Sequence, residues 1–131
     1  MTMANKGGPQ SVYWALFSRK GRIRRATYGL GIALIFCIWW VVVSQLFAAR
    51  EGSGQFTMWV IVLGLVALAS TYCIYALCHK RLHDLGHPGH YALIIVVAGF
   101  FLSGFLVIPL VLLGVLKGQA EDNNYGPPPV Q

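Results

Sequence analysis

Charged residues are scarce in this chain. Only 11% of its 131 residues are Asp, Glu, Lys or Arg, while 56% are hydrophobic. Soluble domains carry roughly a quarter charged residues, and a chain with less than half that share cannot cover a soluble surface. The composition therefore argues against an ordinary soluble domain and predicts a single domain that lies in lipid.

Acidic residues are missing from the amino-terminal part, where cations gather. Residues 1–26 contain no Asp or Glu, and their basic residues are Lys6, Arg19, Lys20, Arg22, Arg24 and Arg25. Beside a membrane span, such an arm predicts a cytoplasmic amino terminus. The cations of the arm from residue 19 onward, together with Lys80, are predicted to contact anionic lipid headgroups. Nucleic acid is not an expected partner, since no basic-aromatic module surrounds the arm.

Cysteine and histidine are few, and neither forms a metal motif. The three cysteines lie in or at the end of apolar runs and suggest no disulfide framework: Cys37, Cys73 and Cys78. His79 and His83 have the spacing to share a metal on an unbroken helix, but Gly86 and Pro88 should end that helix before His87 can join them. No nucleophile with a positioned base is present. We therefore predict no catalytic residue, no metal and no cofactor.

Two long apolar runs cover residues 27–49 and 56–78. Each has 23 residues and no charge, and as a helix reaches about 34 Å, enough to cross a ~30 Å hydrocarbon core. The short connection at 50–55 makes them antiparallel neighbours. Stripes of small or polar residues predict helix contacts: Gly29, Ala33 and Cys37 on the first run, Thr71, Tyr75 and Cys78 on the second. A tyrosine belt at the membrane interface explains the second stripe equally well.

A third apolar run covers residues 91–116. Its 26 residues reach about 39 Å as a helix and are interrupted by Gly99, Ser103, Gly104 and Pro109. We predict one long, kinked span, with Gly99 and Ser103 at its helix contacts. The alternative is a re-entrant hairpin that turns near Gly104, with arms of about 12 residues that are too short to cross. A third crossing leaves the polar loop at 79–90 in the cytoplasm and the tail in the periplasm.

Both ends of the chain are polar. Residues 1–10 form a mobile end, and residues 11–26 form a basic arm with a short amphipathic helix at the membrane surface, begun by Ser11. A wholly flexible arm is the alternative. The tail at 117–131 contains three consecutive prolines and favours an extended form. The predicted fold is an all-α integral membrane protein with three transmembrane helices and this interfacial helix.

Three separated signatures resemble those of one family. The first comprises Phe17, Gly21, Arg22, Arg25 and Tyr28. The second comprises Arg81, Leu82, His83, Asp84, Gly86 and Gly89, and the third Asn123, Tyr125, Gly126 and Pro129. Together they resemble the YhaH-like small bacterial inner-membrane proteins, a domain of unknown function. The chain departs from that pattern, which has tryptophans or an Asp in these places, at Gly29, His90, Tyr91 and Pro128. The resemblance implies a helical, multi-pass protein of the bacterial inner membrane and no particular activity.

The central signature predicts a structural ion pair. Asp84 has three candidate partners, and pairing would pin the basic arm to the central loop: Arg22, Arg25 and Arg81. His83 and Asp84 are adjacent, so on a helix they diverge by about 100° and do not form an acid–base dyad. We therefore expect a non-catalytic accessory subunit that docks on a larger inner-membrane complex or forms a homo-oligomer. The alternative is a protein that binds anionic lipid or a small hydrophobic ligand, or an oligomeric transporter component.

Overall fold

The described part of the chain folds into five helices. The computed structural model describes residues 12–102 and 106–129. Its helices are α1 (Val12–Phe17), α2 (Arg25–Ala48), α3 (Gly54–Asp84), α4 (Tyr91–Phe101) and α5 (Val107–Val115). These residues contain no β-strand, so the predicted all-α class is confirmed for this part of the chain. The predicted mobile end at 1–10 and the cap at Ser11 lie outside the described residues.

Two helices are long and apolar enough to cross a bilayer, as a membrane protein requires. They are α2 with 24 residues and α3 with 31. At 1.5 Å per residue, α3 reaches about 46 Å and extends well beyond a ~30 Å hydrocarbon core. Ser53 begins α3, because its hydroxyl accepts a hydrogen bond of 3.1 Å from the amide of Phe56. The helix continues to Asp84, so much of the loop predicted at 79–90 is helical.

Large side chains on α2 form its contact with α3. Tyr28, Ile35 and Val42 are buried and recur every seven residues, so they lie on one face of α2. Gly31 allows close approach, since a Cβ atom there would lie 3.0 Å from Leu77. Midway along the pair, the indole of Trp39 donates a 3.1 Å hydrogen bond to the hydroxyl of Ser70, which satisfies both polar groups in apolar surroundings.

The third apolar run forms a hairpin of short helices. With 11 and 9 residues, α4 and α5 reach only about 17 and 14 Å, too little for either to cross. They start and finish at the same end of α3: α4 follows the turn after Asp84, and Arg81 donates to the carbonyl oxygen of Leu116. The single kinked span is therefore not what the described residues show, and the re-entrant alternative fits them. Ser103 and Gly104, predicted at the contact and the turn, lie outside the described residues.

The basic arm and the tail meet at one end of the bundle. Arg22 donates hydrogen bonds of 2.9 and 3.2 Å to the carbonyl oxygens of Glu121 and Gly126. This contact does not fit the prediction that arm and tail lie on opposite sides of the membrane. The hairpin explains the difference, because α5 returns beside the start of α2, where Tyr28 donates a 3.1 Å hydrogen bond to the carbonyl of Leu110.

Candidate functional site

A buried ion cluster lies where the arm, the end of α3 and the tail converge. Asp84 lies between two arginines: Arg22 is 3.0 Å from one carboxylate oxygen, and Arg81 contacts the other. Only 3% of Arg22, 0% of Arg81 and 3% of Asp84 is exposed. Two of the three candidate partners thus contact the carboxylate, while Arg25 is exposed. Buried charges are stable only when paired and hydrogen-bonded, so the three side chains fold as one unit.

The remaining donors of Arg81 cap a helix end. Its Nε donates a 2.8 Å hydrogen bond to the carbonyl of Leu113 on α5, and Nη2 donates to that of Leu116 just beyond. The last carbonyls of a helix have no partner within the helix and carry partial negative charge. Another bond, 3.3 Å from Nη1 to the carbonyl of Ile23, reaches the arm. Arg81 therefore ties α3, α5 and the arm together.

The donors of Arg22 hold the tail. Besides the bonds to Glu121 and Gly126, Nη2 donates to the carbonyl of Gln119. Gly118 lies directly against Asp84, and a Cβ atom at that position would collide with the carboxylate. The tail is therefore fixed to the cluster by its backbone, and its side chains contribute little to this contact.

A glycine turn ends α3 beside the cluster. The amide of Gly86 donates to the carbonyl of His83 at 3.1 Å, and that of His87 to Leu82 at 2.9 Å, which is the Schellman pattern of a helix end. Gly86 has φ +78°, and a Cβ atom there would also collide with the side chain of Gln119. The backbone conformation therefore favours glycine at this position, and the side chain of Gln119 would have to move to admit a larger residue.

The tail closes over the last turn of α3. Asn123 donates a 2.9 Å hydrogen bond from its amide to the carbonyl of His83. The rings of His83 and Tyr125 stack in parallel, with centroids 4.0 Å apart and 5° between their planes. Gly126 has φ +119°, which lets the chain turn back so that its carbonyl reaches Arg22. Sequence analysis missed the role of Tyr125, although an aromatic residue in a polar tail was a usable signal.

Lys80 holds α1 against α3. It is fully buried, and its ammonium donates to the carbonyls of Trp14, at 2.8 Å, and Ala15. The same ammonium lies 4.2 Å from the centre of a Trp14 ring, a cation–π contact. Tyr72 adds a 3.0 Å hydrogen bond to the carbonyl of Phe17. We call three segments together the polar cap: residues 18–24 of the arm, residues 79–90 at the end of α3 and in the turn that follows, and residues 117–127 of the tail.

Comparison with known proteins identifies the family. Residues 16–127 match the family model described as "Protein of unknown function (DUF805)". The chain belongs to the DUF805 family. It is 30% identical to "Uncharacterized protein YiiR" of Escherichia coli strain K12 over an alignment of 131 positions that covers 85% of each chain. The identity and coverage are the same for the protein of that name from Escherichia coli O157:H7. No solved structure matches the chain. The narrower YhaH-like resemblance stays a prediction.

The DUF805 match contains the whole ion cluster and nearly all of the three signatures. It begins on α1 and ends one residue beyond Gly126, so it leaves out Pro129. The signatures are far apart in sequence, yet Arg22 and Gly126 contact each other and Arg22 contacts Asp84. The residues that carry the resemblance therefore build one structural feature, the polar cap.

Several predicted lipid contacts are used inside this DUF805 fold instead. Arg22 and Lys80 are buried and hydrogen-bonded to backbone carbonyls, so neither can reach a headgroup at the surface. Of the other predicted headgroup cations, Arg24 is half-buried and the rest are exposed: Arg19, Lys20 and Arg25. Sequence position alone could not separate Arg22 from the exposed cations, because all of them lie in the same basic segment.

The predicted packing stripes are only partly inside the protein. Gly29, Ala33 and Cys37 are exposed, because the larger Tyr28, Ile35 and Val42 occupy the interface with α3. On α3, Thr71 is exposed and donates a 2.8 Å hydrogen bond to Ala67 of its own helix. Three other members do make contacts within the chain: Tyr75, which is half-buried, Cys78, which lies against Tyr28, and Gly99, which packs against Leu106.

The site offers binding and structural chemistry. Both carboxylate oxygens of Asp84 are engaged by guanidinium groups. Within residues 12–102 and 106–129, no three His, Cys, Asp or Glu side chains are grouped to hold a metal ion. The rings of His79 and His83 meet edge-on at 4.4 Å, and Gly89 lies so close to His79 that a Cβ atom would collide with it.

Proposed function

We propose that this chain is a non-catalytic integral membrane protein that acts as an interaction subunit of a larger membrane protein complex. The polar cap is the surface that docks. The observation that carries the proposal is the use of the buried charges in folding: Arg22, Arg81 and Asp84 bond one another and backbone carbonyls. A buried cluster bonded in this way serves to fix the shape of the cap.

Orientation is part of the same proposal. The cap end of the bundle carries nearly all the cations, whereas the connection at 50–55 carries Arg50 and Glu51, which cancel. An excess of Lys and Arg marks the cytoplasmic side of a bacterial inner membrane. We therefore place arm, turn and tail in the cytoplasm and the α2–α3 connection in the periplasm.

The exposed face of α2 supplies a second contact for the partner complex. Ala33 and Cys37 form an exposed stripe of small residues on α2 that continues to Gly29, which lines an apolar groove beside α5, and Trp40 and Phe47 are also exposed on α2. Small residues allow helix backbones to approach closely within a membrane. A transmembrane helix of the partner complex, anchored at the cap, fits along this stripe.

Copurification tests the proposal. The tagged chain is extracted from its native membranes in mild detergent, and the proteins retained at constant stoichiometry are identified by mass spectrometry. Asp84→Asn, which disturbs the cap, is expected to lose the partner, while Arg50→Gln at the opposite end keeps it. Ala33→Leu is expected to weaken retention more than Ala69→Leu, a matched change at an exposed alanine of α3. A chain recovered alone in every mild detergent contradicts the proposal, and recovery of only its own copies points to a homo-oligomer instead.

A further inference from the structure

An open groove crosses the polar cap beside the end of α1. Its volume is about 680 Å³, within the ~300–1,000 Å³ range of small-ligand clefts. The residues that line it come from the arm, α3 and the tail: Phe17, Ser18, Arg19, Lys20, Gly21, Tyr72, His79, His83 and Tyr125. The stacked rings of His83 and Tyr125 form a fixed wall on one side.

The charge of the groove is of one sign. Arg19 and Lys20 are exposed in it, and none of the described residues that line it is an Asp or Glu. The neighbouring carboxylate, Asp84, is buried between its two arginines and cannot neutralise these cations. Unlike Arg22 and Lys80, therefore, Arg19 and Lys20 remain available to an anion in solution or in a membrane surface.

Another wall of the groove is lined by aromatic rings next to α1. Phe17 and Tyr72 stack there, with ring centroids 6.4 Å apart. Next to them α1 exposes large apolar side chains, with Val12 66% and Tyr13 74% exposed. A short helix with exposed aromatic residues beside a basic segment is typical of an element that lies in the membrane interface. The groove thus pairs two exposed cations with an apolar wall.

We propose that this groove binds the phosphate of an anionic phospholipid. Arg19 and Lys20 hold the phosphate, and the Phe17–Tyr72 wall accompanies the first carbons of the lipid. A soluble phosphate ester shares the charged part of this chemistry but has no use for the apolar wall. The site is independent of the proposed protein partner, because a chain that docks on nothing can still retain a lipid.

Native mass spectrometry of the purified full-length chain in detergent tests this site. Phosphatidylglycerol, phosphatidylcholine and sn-glycerol 3-phosphate are titrated separately. We expect phosphatidylglycerol to bind and the other two to bind at least tenfold more weakly. The double variant Arg19→Gln/Lys20→Gln should lose roughly tenfold to thirtyfold in affinity for phosphatidylglycerol, since each cation near the surface contributes on the order of a factor of five.

The control is Arg50→Gln/Lys117→Gln, which removes two exposed cations outside the groove. It should bind phosphatidylglycerol like the original chain. Equal losses in both double variants indicate diffuse surface attraction and overturn the proposal. Equal binding of phosphatidylcholine also overturns it, and equal binding of glycerol phosphate reassigns the groove to a soluble ligand. If the groove double variant melts earlier than its control, the single variants Arg19→Gln and Lys20→Gln are measured instead. Each should lose about fivefold in affinity for phosphatidylglycerol.

Discussion

Removing the carboxylate of Asp84 is the sharpest test of the polar cap. Asp84→Ala leaves two guanidinium groups facing each other in a site where Arg22 is 3% and Arg81 0% exposed. Breaking a buried ion pair by deleting one partner costs about 3–5 kcal/mol, because the other charge stays buried without compensation. The carbonyl oxygens that surround both arginines offset part of this cost. We therefore expect a loss toward the lower end of that range, about 3 kcal/mol.

Thermal unfolding in detergent, followed by circular dichroism, measures the loss. For a chain of this length about 3 kcal/mol corresponds to a fall in melting temperature of roughly 10 °C. The matched control is Arg24→Ala, since Arg24 is half-buried and makes no side-chain hydrogen bond or ion pair in the part of the chain that the structure describes. Changes at such positions usually stay within about 0.5 kcal/mol.

The isosteric variant Asp84→Asn separates charge from packing. It keeps the volume that fits against Gly118 but removes the negative charge between the arginines. We expect it to lose most of the stability that Asp84→Ala loses. If Asp84→Asn melts with the original chain, or if Asp84→Ala melts with Arg24→Ala, the cluster does not hold the cap together and the reasoning fails.

Two further predictions concern the turn and the topology. Gly86→Ala should destabilise the chain by roughly 1–2 kcal/mol in the same melting assay, because φ at Gly86 is +78°. Gly64 lies in the middle of α3, where a Cβ atom would meet no neighbour, so Gly64→Ala should stabilise the chain slightly. With the native cysteines replaced, Lys20→Cys and Asp122→Cys should react with an impermeant maleimide from the same side of sealed vesicles, and Glu51→Cys from the other, since the arm bonds the tail. Labelling of positions 20 and 122 from opposite sides would restore the third crossing.

The two long helices could be predicted from the sequence, because charged residues flank the uncharged runs that form them. The uncharged runs at 27–49 and 56–78 lie within or beside α2 and α3. The continuation of α3 to Asp84 was harder to foresee, because its last turn is polar, and its charges suggested a loop. Those charges are accommodated by contacts with arm and tail, which a local pattern cannot reveal.

The third run was ambiguous for a physical reason. Twenty-six apolar residues suit one tilted span or two short helices equally in composition. The decision depends on where the end of α5 finds hydrogen-bond donors, and those come from Arg81, far away in sequence. The predicted third crossing then placed the tail in the periplasm, because the sequence does not reveal that the backbone of Glu121 bonds Arg22.

The hairpin of α4 and α5 explains why Arg81, at the end of an apolar helix, is fully buried. A helix as short as α5 leaves its final carbonyls near the membrane, where unsatisfied backbone groups are costly. Arg81 reaches the carbonyls of Leu113 and Leu116 while it contacts Asp84, and this requires donors that diverge from one planar group. Lysine carries its donors on a single nitrogen and cannot serve these separate directions. The same residue that pairs the carboxylate thus closes the hairpin, so the topology of the chain and the shape of its polar cap depend on one side chain.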